Sequence, residues 1–259
     1  MSKVALITGA AQGIGKAIAT RLAKDGFKIA ITDLKTNSLK GESVIKEIEN
    51  KYNTKGIFIP ADSRIKKDIH NAVETTYNEL GGFNVIINNA GIAILGKLNT
   101  LTSESWDQMS STNINGTLYG IQIASEKFQK LGQVGKIINA GSTAGIEGYE
   151  DLGGYCMTKH AIRSITQTSA KELAPYGITV NSYCPGITNT ELWKSIDKMT
   201  GDYSGKSREA IISKITEKIP LGRTTSVEDV SGVVSFLASE DSNYLTGQSI
   251  IISGGSVVR

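Results

Sequence analysis

The stretch Val4-Ala-Leu-Ile-Thr8-Gly9-Ala-Ala-Gln-Gly13-Ile-Gly15, near the start of the 259-residue chain, decides the fold. Val4 to Thr8 is a short apolar run typical of a buried parallel strand, and Ile14, Ile18 and Leu22 then recur at helical spacing. The glycines between the two patterns permit a tight turn. We therefore predict a strand, a glycine-rich loop and a helix, which is how an alternating α/β chain begins.

The same alternation continues along the chain. Helical patterns lie near Ser38 to Lys51 and from Ile65 to Leu80, and a long helix is predicted from about Gly154. Further strands are predicted at Lys28 to Asp33, Gly56 to Pro60, Val85 to Asn88, Lys136 to Asn139, Ile178 to Tyr183 and Ile250 to Ile252, the last as a buried strand. Strands joined by helical crossovers form a parallel sheet that is covered on both faces. We expect one doubly wound (Rossmann) α/β domain over residues 1–259.

The composition is that of a globular chain, with 39% hydrophobic and 20% charged residues and a net charge of +3. This weak charge does not predict nucleic-acid binding. Cys156 and Cys184 are too few for a disulfide framework, and His70 and His160 fit no metal-ligand spacing and are predicted to lie at the surface. No apolar run approaches the roughly 18 residues of a membrane span, and no signal-peptide pattern precedes Val4. We expect a cytoplasmic protein without a metal.

The glycine loop has the spacing G-x-x-x-G-x-G, which differs from the usual dinucleotide fingerprint, so its context carries the inference. A strand precedes the loop, a helix follows it, and Asp33 ends the next strand, where a carboxylate accepts hydrogen bonds from an adenosine ribose. A carboxylate there repels a 2′-phosphate, and Gln12 is neutral. NAD(H) is therefore favoured, although nearby Lys35 leaves NADP(H) possible.

Tyr155 and Lys159 are four residues apart, so a helix places both on one face. A neighbouring cation favours an ionised phenol, which makes the pair a candidate acid/base catalyst. Ser142 follows a predicted strand, at the edge where open parallel sheets bind ligands. Taken singly, these residues also fit a surface pair and a loop serine, and Asn113 fits a helix-terminus amide.

Together these motifs resemble the classical short-chain dehydrogenase/reductase family over essentially the whole chain. The matching segments are Thr8 to Gly15, Asn88-Asn-Ala-Gly91, Asn113-Ile-Asn-Gly116, Ser142 thirteen residues before Tyr155, Tyr155-x-x-x-Lys159, and Pro185-Gly186 with Thr190. The resemblance implies that Tyr155 is the general acid in carbonyl reduction and the base in alcohol oxidation. It also implies that Lys159 lowers the pKa of Tyr155 and holds the nicotinamide ribose, that Ser142 polarises the substrate oxygen, and that Asn113 holds a proton-relaying water chain.

The resemblance further implies the remaining cofactor contacts. They are Gly9, Gln12, Gly13, Ile14, Gly15 and Asp33, with Asp62 and Ser63 by the adenine, Asn89, Ala90 and Gly91 along the adenosine, and Pro185, Gly186, Ile187 and Thr190 by the nicotinamide. Thr143 and Tyr149 would line the substrate pocket with Ser142 and Tyr155, and Trp193 would cap it from a lid over residues 188–214. Two departures are Ser63, where the family has an aliphatic residue, and Ser253-Gly-Gly255, where it has Asp-Gly-Gly.

Within the family the chain is most similar to acetoin/diacetyl reductases, also called 2,3-butanediol dehydrogenases. That likeness rests on Gly120-Ile-Gln122, Gly135 to Ala140, Asn181 to Ile187 with Trp193, and Asp241 to Ser249. It implies a small ketone or alcohol substrate. Because members of the family commonly form tetramers, the resemblance also implies a homotetramer. One alternative is a reductase of ketoses, polyols or 3-oxoacyl thioesters. A thioester carried by an acyl carrier protein would need a basic patch near the entrance, which Lys194, Lys198, Lys206 and Arg208 could form. The other alternative is a non-catalytic nucleotide-binding scaffold.

Overall fold

The protein is described by a computed structural model that covers residues 3–190, 213–214 and 216–258. Its strands are β1 (Val4–Thr8), β2 (Lys28–Asp33), β3 (Gly56–Pro60), β4 (Val85–Asn88), β5 (Gly135–Ala140), β6 (Ile178–Pro185) and β7 (Ser249–Ile252). Its helices are α1 (Gly13–Lys24), α2 (Ser38–Tyr52), α3 (Lys66–Leu80), α4 (Ser103–Met109), α5 (Gly116–Lys130), α6 (Gly153–Leu173) and α7 (Val227–Ala238). A π-helical turn, Ser110–Asn115, joins α4 to α5.

Within the described residues these strands form one seven-stranded sheet in the order β3-β2-β1-β4-β5-β6-β7, with every pair parallel. Helices cover both faces. Ile18 of α1, Ile48 of α2 and Val234 of α7 pack on one face, and Val73 of α3 and Ala124 of α5 pack on the other. The predicted doubly wound α/β fold is confirmed.

The strand order fixes where a ligand can bind. The chain returns to the middle of the sheet after β3, so that β4 lies beside β1. The crossovers leave these two strands in opposite directions, which opens a crevice outside their carboxyl ends. Thr8, Asp33 and Asn88 end β1, β2 and β4, so the loops that carry the sequence motifs meet at this edge.

The last strand is less buried than its apolar sequence predicts. The strand over Ile250 to Ile252 exists, but it is half-buried rather than buried. Its sequence is uniformly apolar because Ile250 and Ile252 pack on one core cluster and Ile251 on another, whereas its position at the end of the described sheet leaves its outer edge without a neighbouring strand. The predicted lid, residues 188–214, lies mostly outside the described residues, which include only 188–190 and 213–214 of it. Among the described helices, none has the length and apolarity needed to cross a membrane.

Candidate active site

A groove of about 420 Å³ opens along the carboxyl edge of β1, β2 and β4 and extends to β6. Most of the residues predicted for cofactor binding line it. They are Gly9, Gln12, Gly13, Ile14, Gly15, Asp33, Asp62, Ser63, Asn89, Ala90, Gly91, Tyr155, Lys159, Pro185 and Thr190. Gly186 and Ile187 come directly after Pro185 in the sequence but are not among the residues that line the groove. The Gly186 N–H donates to Ile252 O, and Ile187 O accepts from the Thr225 N–H.

The glycine loop needs its glycines for two separate reasons. Gly9 and Gly13 have φ of +63° and +58°, in the left-handed region that side chains disfavour. Gly15 lies in α1, where a Cβ would come within 2.5 Å of Gly9 O and 2.6 Å of Asn89 Nδ2. Gln12 is the extended N-cap of α1, and its side chain makes no capping bond but accepts from Lys40 Nζ at 3.1 Å. The first-turn N–H groups of α1 therefore face the groove as an anion-binding end.

Asn89 ties the loop after β4 to the glycine loop. Its Nδ2 donates to the carbonyl oxygens of Thr8, at 2.8 Å, and Gly9, at 2.9 Å. The hydroxyl of Thr8 in turn accepts from the N–H groups of Asn89 and Ala90, each at 3.0 Å. These four bonds hold the ends of β1 and β4 in one arrangement.

Asp33 lies at the carboxyl end of β2, as predicted, with its carboxylate in the groove. One oxygen accepts from the Ala11 N–H at 3.0 Å. The other accepts from the Leu34 N–H at 2.9 Å and from Asn37 Nδ2 at 2.7 Å. These bonds orient the carboxylate while leaving lone pairs on it for a ribose hydroxyl.

Asp62 is paired with Arg64, an interaction that the sequence motifs do not indicate. The guanidinium donates to both carboxylate oxygens, with Nη2 at 2.5 Å and Nε at 2.9 Å. This hydrogen bond is the main reason that the pKa of Asp62 lies below its ordinary value. Ser63 and Arg64 both line the groove, so the predicted adenine end is more polar than an aliphatic residue at position 63 would make it.

Tyr155, Lys159 and Ser142 come together at the other end of the groove. Tyr155 and Lys159 lie one turn apart on α6, and Lys159 Nζ is 5.4 Å from the centre of the Tyr155 ring. The Tyr155 hydroxyl is hydrogen-bonded to the side chain of Ser142, which follows β5. Lys159 is 4% exposed and donates to Ala140 O at 2.8 Å. A phenol, a hydroxyl and a buried ammonium can together transfer a proton to or from a bound oxygen.

The pKa values of this cluster differ from the sequence-based expectation. Burial raises the pKa of Tyr155 to about 12, although the Ser142 hydrogen bond acts in the opposite direction. Burial lowers the pKa of Lys159 to about 8. An effect of Lys159 is not among the causes of this shift, and desolvation of the phenol sets its direction. Tyr155 is therefore held in its protonated form, as a proton donor.

Asn113 lies in the π-helical turn between α4 and α5 and is fully buried. Its Oδ1 accepts from the Ile92 N–H at 2.8 Å, and its Nδ2 donates to Ile92 O at 2.9 Å and to Thr158 Oγ1 at 3.0 Å. Its backbone carbonyl accepts from Thr117 Oγ1 at 2.8 Å. The side chain thus fixes the loop after β4 against α6, at the residue that directly follows Gly91.

Thr143 and Tyr149 lie near Ser142 and are joined by hydrogen bonds. The Tyr149 hydroxyl donates to Glu147 Oε1 at 2.9 Å and is also bonded to the Thr143 side chain. Burial raises the pKa of Tyr149 to about 12. The backbone of this segment is anchored by Asp151, which has φ of +59° and whose carbonyl accepts from the Gly96 N–H at 2.8 Å. Trp193 lies outside the described residues.

Sequence reasoning missed several residues of the groove. They are Thr32, Leu34, Ala61, Arg64, Ile92, Gln108, Thr112, Ala140, Gly141 and Tyr183. Some directly adjoin predicted positions, and proximity in the chain was a usable signal for them. Gln108 and Thr112 come from α4 and the π-helical turn, and their approach depends on how that segment folds over the groove. His70 and His160 are exposed, as predicted, and the described residues contain no cluster of three or more potential metal ligands.

Comparison with known proteins agrees with this geometry. A family profile described as enoyl-(acyl carrier protein) reductase matches residues 9–256. The chain is 46% identical over 255 residues to an L-2,3-butanediol dehydrogenase of Corynebacterium glutamicum, covering 98% of each protein. It is 45% identical over 264 residues to an (S)-acetoin-forming diacetyl reductase of Staphylococcus epidermidis, covering 100% of each.

Solved structures of other enzymes share the fold over nearly the whole chain. NAD+-bound xylitol dehydrogenase superposes with a TM-score of 0.91 at 26% identity, covering 98% of both chains. A variant of actinorhodin polyketide ketoreductase with NADPH superposes with a TM-score of 0.92 at 29% identity, covering 98% of this chain and 97% of that one. With the family match and the full-length relatives, this places the chain in the short-chain dehydrogenase/reductase family.

Proposed function

We propose that the protein is a nicotinamide-dependent oxidoreductase that reduces diacetyl to acetoin and acetoin to 2,3-butanediol, and that it catalyses the reverse oxidations. The observation that carries this proposal is that Tyr155, bonded to Ser142 and beside Lys159, lines the same groove as the glycine loop. The two full-length relatives, named for diacetyl and 2,3-butanediol, support the substrate.

A nicotinamide cofactor, when bound in this groove, would supply or accept the hydride of the reaction. Tyr155 donates its phenolic proton to the carbonyl oxygen during reduction and takes a proton back during alcohol oxidation. Ser142, which shares a hydrogen bond with Tyr155, orients the same oxygen. The Lys159 ammonium stabilises negative charge that develops on the Tyr155 oxygen as the proton leaves. Asn113 keeps the loop of Gly91 and Ile92 in place through its three side-chain bonds.

For the cofactor we propose NAD(H). The Asp33 carboxylate lies in the groove at the end of β2, where its charge opposes a 2′-phosphate. One observation favours NADP(H) as the second candidate: the Lys40 ammonium lies 3.1 Å from Gln12 Oε1, beside the glycine loop. Lys40 is exposed and its pair with Gln12 is weakly constrained, whereas Asp33 is oriented by three hydrogen bonds. The carboxylate therefore outweighs the lysine.

For stereochemistry we propose the products that the relatives' names describe, (S)-acetoin and L-2,3-butanediol. Thr143, which directly follows Ser142, and Tyr149 would shape the substrate pocket. Fold similarity to xylitol dehydrogenase and to a polyketide ketoreductase keeps polyols and larger ketones as competing substrates. We further propose a cytoplasmic homotetramer packed through α5 and α6, which light scattering of the purified protein tests.

The test is oxidation of NADH and NADPH by the purified protein with diacetyl, acetoin, a ketose and an acetoacetyl thioester in parallel. Rapid NADH-linked turnover of diacetyl and acetoin supports the proposal, and chiral chromatography of the products tests the (S) assignment. Turnover confined to NADPH with the ketose or the thioester would overturn both the cofactor and the substrate. Absence of turnover with all four, from a protein that still binds NADH, would favour the nucleotide-binding scaffold.

A further inference from the structure

Tyr183, on β6, is a groove residue to which neither the family motifs nor the proposed mechanism gives a role. It pairs with Ala140 of β5 and Ile250 of β7 in the sheet, and it is 1% exposed. We propose that Tyr183 is a positioning residue of the cofactor site, which acts through Asn89 to hold the glycine loop in its binding conformation. This inference rests on the proposed function, since the loop it positions is the proposed pyrophosphate site.

The link is a chain of three hydrogen bonds across the middle of the sheet. The Tyr183 hydroxyl donates to Asn89 Oδ1 at 2.8 Å. Asn89 Nδ2 donates to Thr8 O and Gly9 O at 2.8 and 2.9 Å. Tyr183 lies on β6, Asn89 follows β4, and Thr8 ends β1, so the series of hydrogen bonds runs from the predicted nicotinamide side to the glycine loop.

The Tyr183 hydroxyl and the carbonyl oxygens of Thr8 and Gly9 together hold the Asn89 amide in one orientation. If the amide flipped, its oxygen would face the two carbonyl oxygens of Thr8 and Gly9, and its NH₂ group would face the Tyr183 hydroxyl. A phenol accepts a hydrogen bond as well as donating one, so Tyr183 alone does not forbid the flip, but the two carbonyls do. With all three partners present, the side chain of Asn89 has one fully bonded orientation.

Loss of the Tyr183 hydroxyl would affect the glycine loop because the loop is closely packed. Gly9 has φ of +63°, and a Cβ on it would lie 2.8 Å from Ala90 Cα. Gly15 approaches the same carbonyl, as the 2.5 Å separation of its would-be Cβ from Gly9 O shows. A less restrained Asn89 allows Gly9 to shift. Because the turn is so closely packed, a small shift of Gly9 displaces the glycine loop from its binding conformation.

Tyr183 is distinct from Tyr155 in chemistry although both line the groove. Burial raises the pKa of Tyr183 far above its ordinary value, so its hydroxyl stays protonated at every working pH. Its bond to Asn89 also occupies the proton. Tyr183 is therefore a fixed hydrogen-bond donor, and its removal should weaken cofactor binding without removing the proton donor of the reaction.

The test is Tyr183→Phe, with dissociation constants for NADH and NADPH measured by fluorescence titration. We expect affinity for the preferred cofactor to fall about tenfold, the usual scale for one lost buried hydrogen bond, and the KM for that cofactor to rise by a larger factor than kcat at saturating cofactor falls. Tyr77→Phe is the matched control: Tyr77 is a partly buried tyrosine of α3, outside the groove lining, and its variant should bind cofactor like wild type.

A double-mutant cycle with Asn89→Ala separates positioning from simple packing. In the Asn89→Ala background, Tyr183→Phe should change affinity by less than about twofold, because the link is already broken. Asn89→Ala alone tests the same link from its other end should Tyr183→Phe not fold. Unchanged affinity in Tyr183→Phe, or an equal loss in both backgrounds, would overturn the inference while the wild type still binds NADH. A wild-type protein that binds neither cofactor would overturn the proposed function and this inference with it.

Discussion

Lys159 Nζ donates a 2.8 Å hydrogen bond to the carbonyl oxygen of Ala140, the last residue of β5. That bond holds a buried ammonium between α6 and the sheet, beside the ring of Tyr155. One carbonyl does not replace the water that a lysine loses on burial, so the pKa of Lys159 is lowered to about 8. The site thus places the poorly solvated Lys159 ammonium next to the proton donor Tyr155, whose own pKa is raised to about 12.

This buried charge predicts a pH-dependent stability. Because the pKa of Lys159 is lower in the folded chain than in the unfolded chain, the unfolded chain binds more protons between about pH 8 and roughly pH 10. Stability therefore rises with pH across that window, and the penalty is complete below it. We expect Lys159→Met to be more stable than wild type at pH 7 by up to about 3 kcal/mol, a difference that fades towards pH 10. Urea unfolding at both pH values measures it, and a difference that does not change with pH would contradict the prediction.

Two helical glycines make a matched pair for testing the loop. Gly15→Ala places a methyl group 2.5 Å from Gly9 O, so we expect NADH affinity to fall at least about tenfold and the melting temperature to drop. Gly232→Ala, in α7, meets only Arg21 Nη1 at 3.7 Å, and we expect it to stabilise by about 0.5 to 1 kcal/mol with unchanged NADH binding. Calorimetry and fluorescence titration check both variants. Equal behaviour of the pair would show that the close approach at Gly15 does not matter.

Asp33→Asn tests the choice of cofactor. In the wild type, the Asp33 carboxylate accepts from the Ala11 N–H at 3.0 Å. The asparagine amide oxygen can still accept this bond, but the negative charge that opposes a 2′-phosphate is gone. We expect NADPH affinity to rise about tenfold and NADH affinity to fall severalfold, on the scale of one charged interaction. Lys40→Gln in the same background should reverse part of the NADPH gain. An NADPH dissociation constant that is the same in wild type and Asp33→Asn would rule out the assigned role of the carboxylate.

The sheet was predictable because its strands are short apolar runs bounded by turns, and their periods differ from those of the helices between them. The half-buried state of Ile250 and Ile252 was not, because the same apolar run fits a central or an edge strand and only the sheet order decides between them. The glycine loop and Asp33 were predictable from their context, because a strand precedes the loop, a helix follows it and an acid ends the next strand. The Tyr155 cluster was predicted from the family resemblance, because helical spacing puts Tyr155 and Lys159 on one face but equally fits a surface pair.

Long-range polar contacts account for what the sequence did not reveal. The hydrogen bonds from Tyr183 to Asn89 and from Lys159 to Ala140 each join residues of different strands, helices or loops, and no local sequence pattern predicts them. The direction of the Tyr155 pKa was also out of reach, since it depends on how much of the phenol is desolvated rather than on its distance along the helix from a cation. Gln108 of α4 and Thr112 of the π-helical turn also line the groove, and their approach depends on tertiary packing rather than on a local pattern.

The most direct measurement compares Tyr155→Phe with wild type in two assays, NADH binding and NADH-linked reduction of diacetyl. The variant keeps the ring beside Lys159 and loses only the hydroxyl that Ser142 contacts. We expect NADH affinity within about threefold of wild type and turnover reduced by a factor of roughly 10² to 10⁴, the contribution of a positioned proton donor. Turnover within tenfold of wild type would contradict the assignment of Tyr155 as the acid/base of a carbonyl reductase.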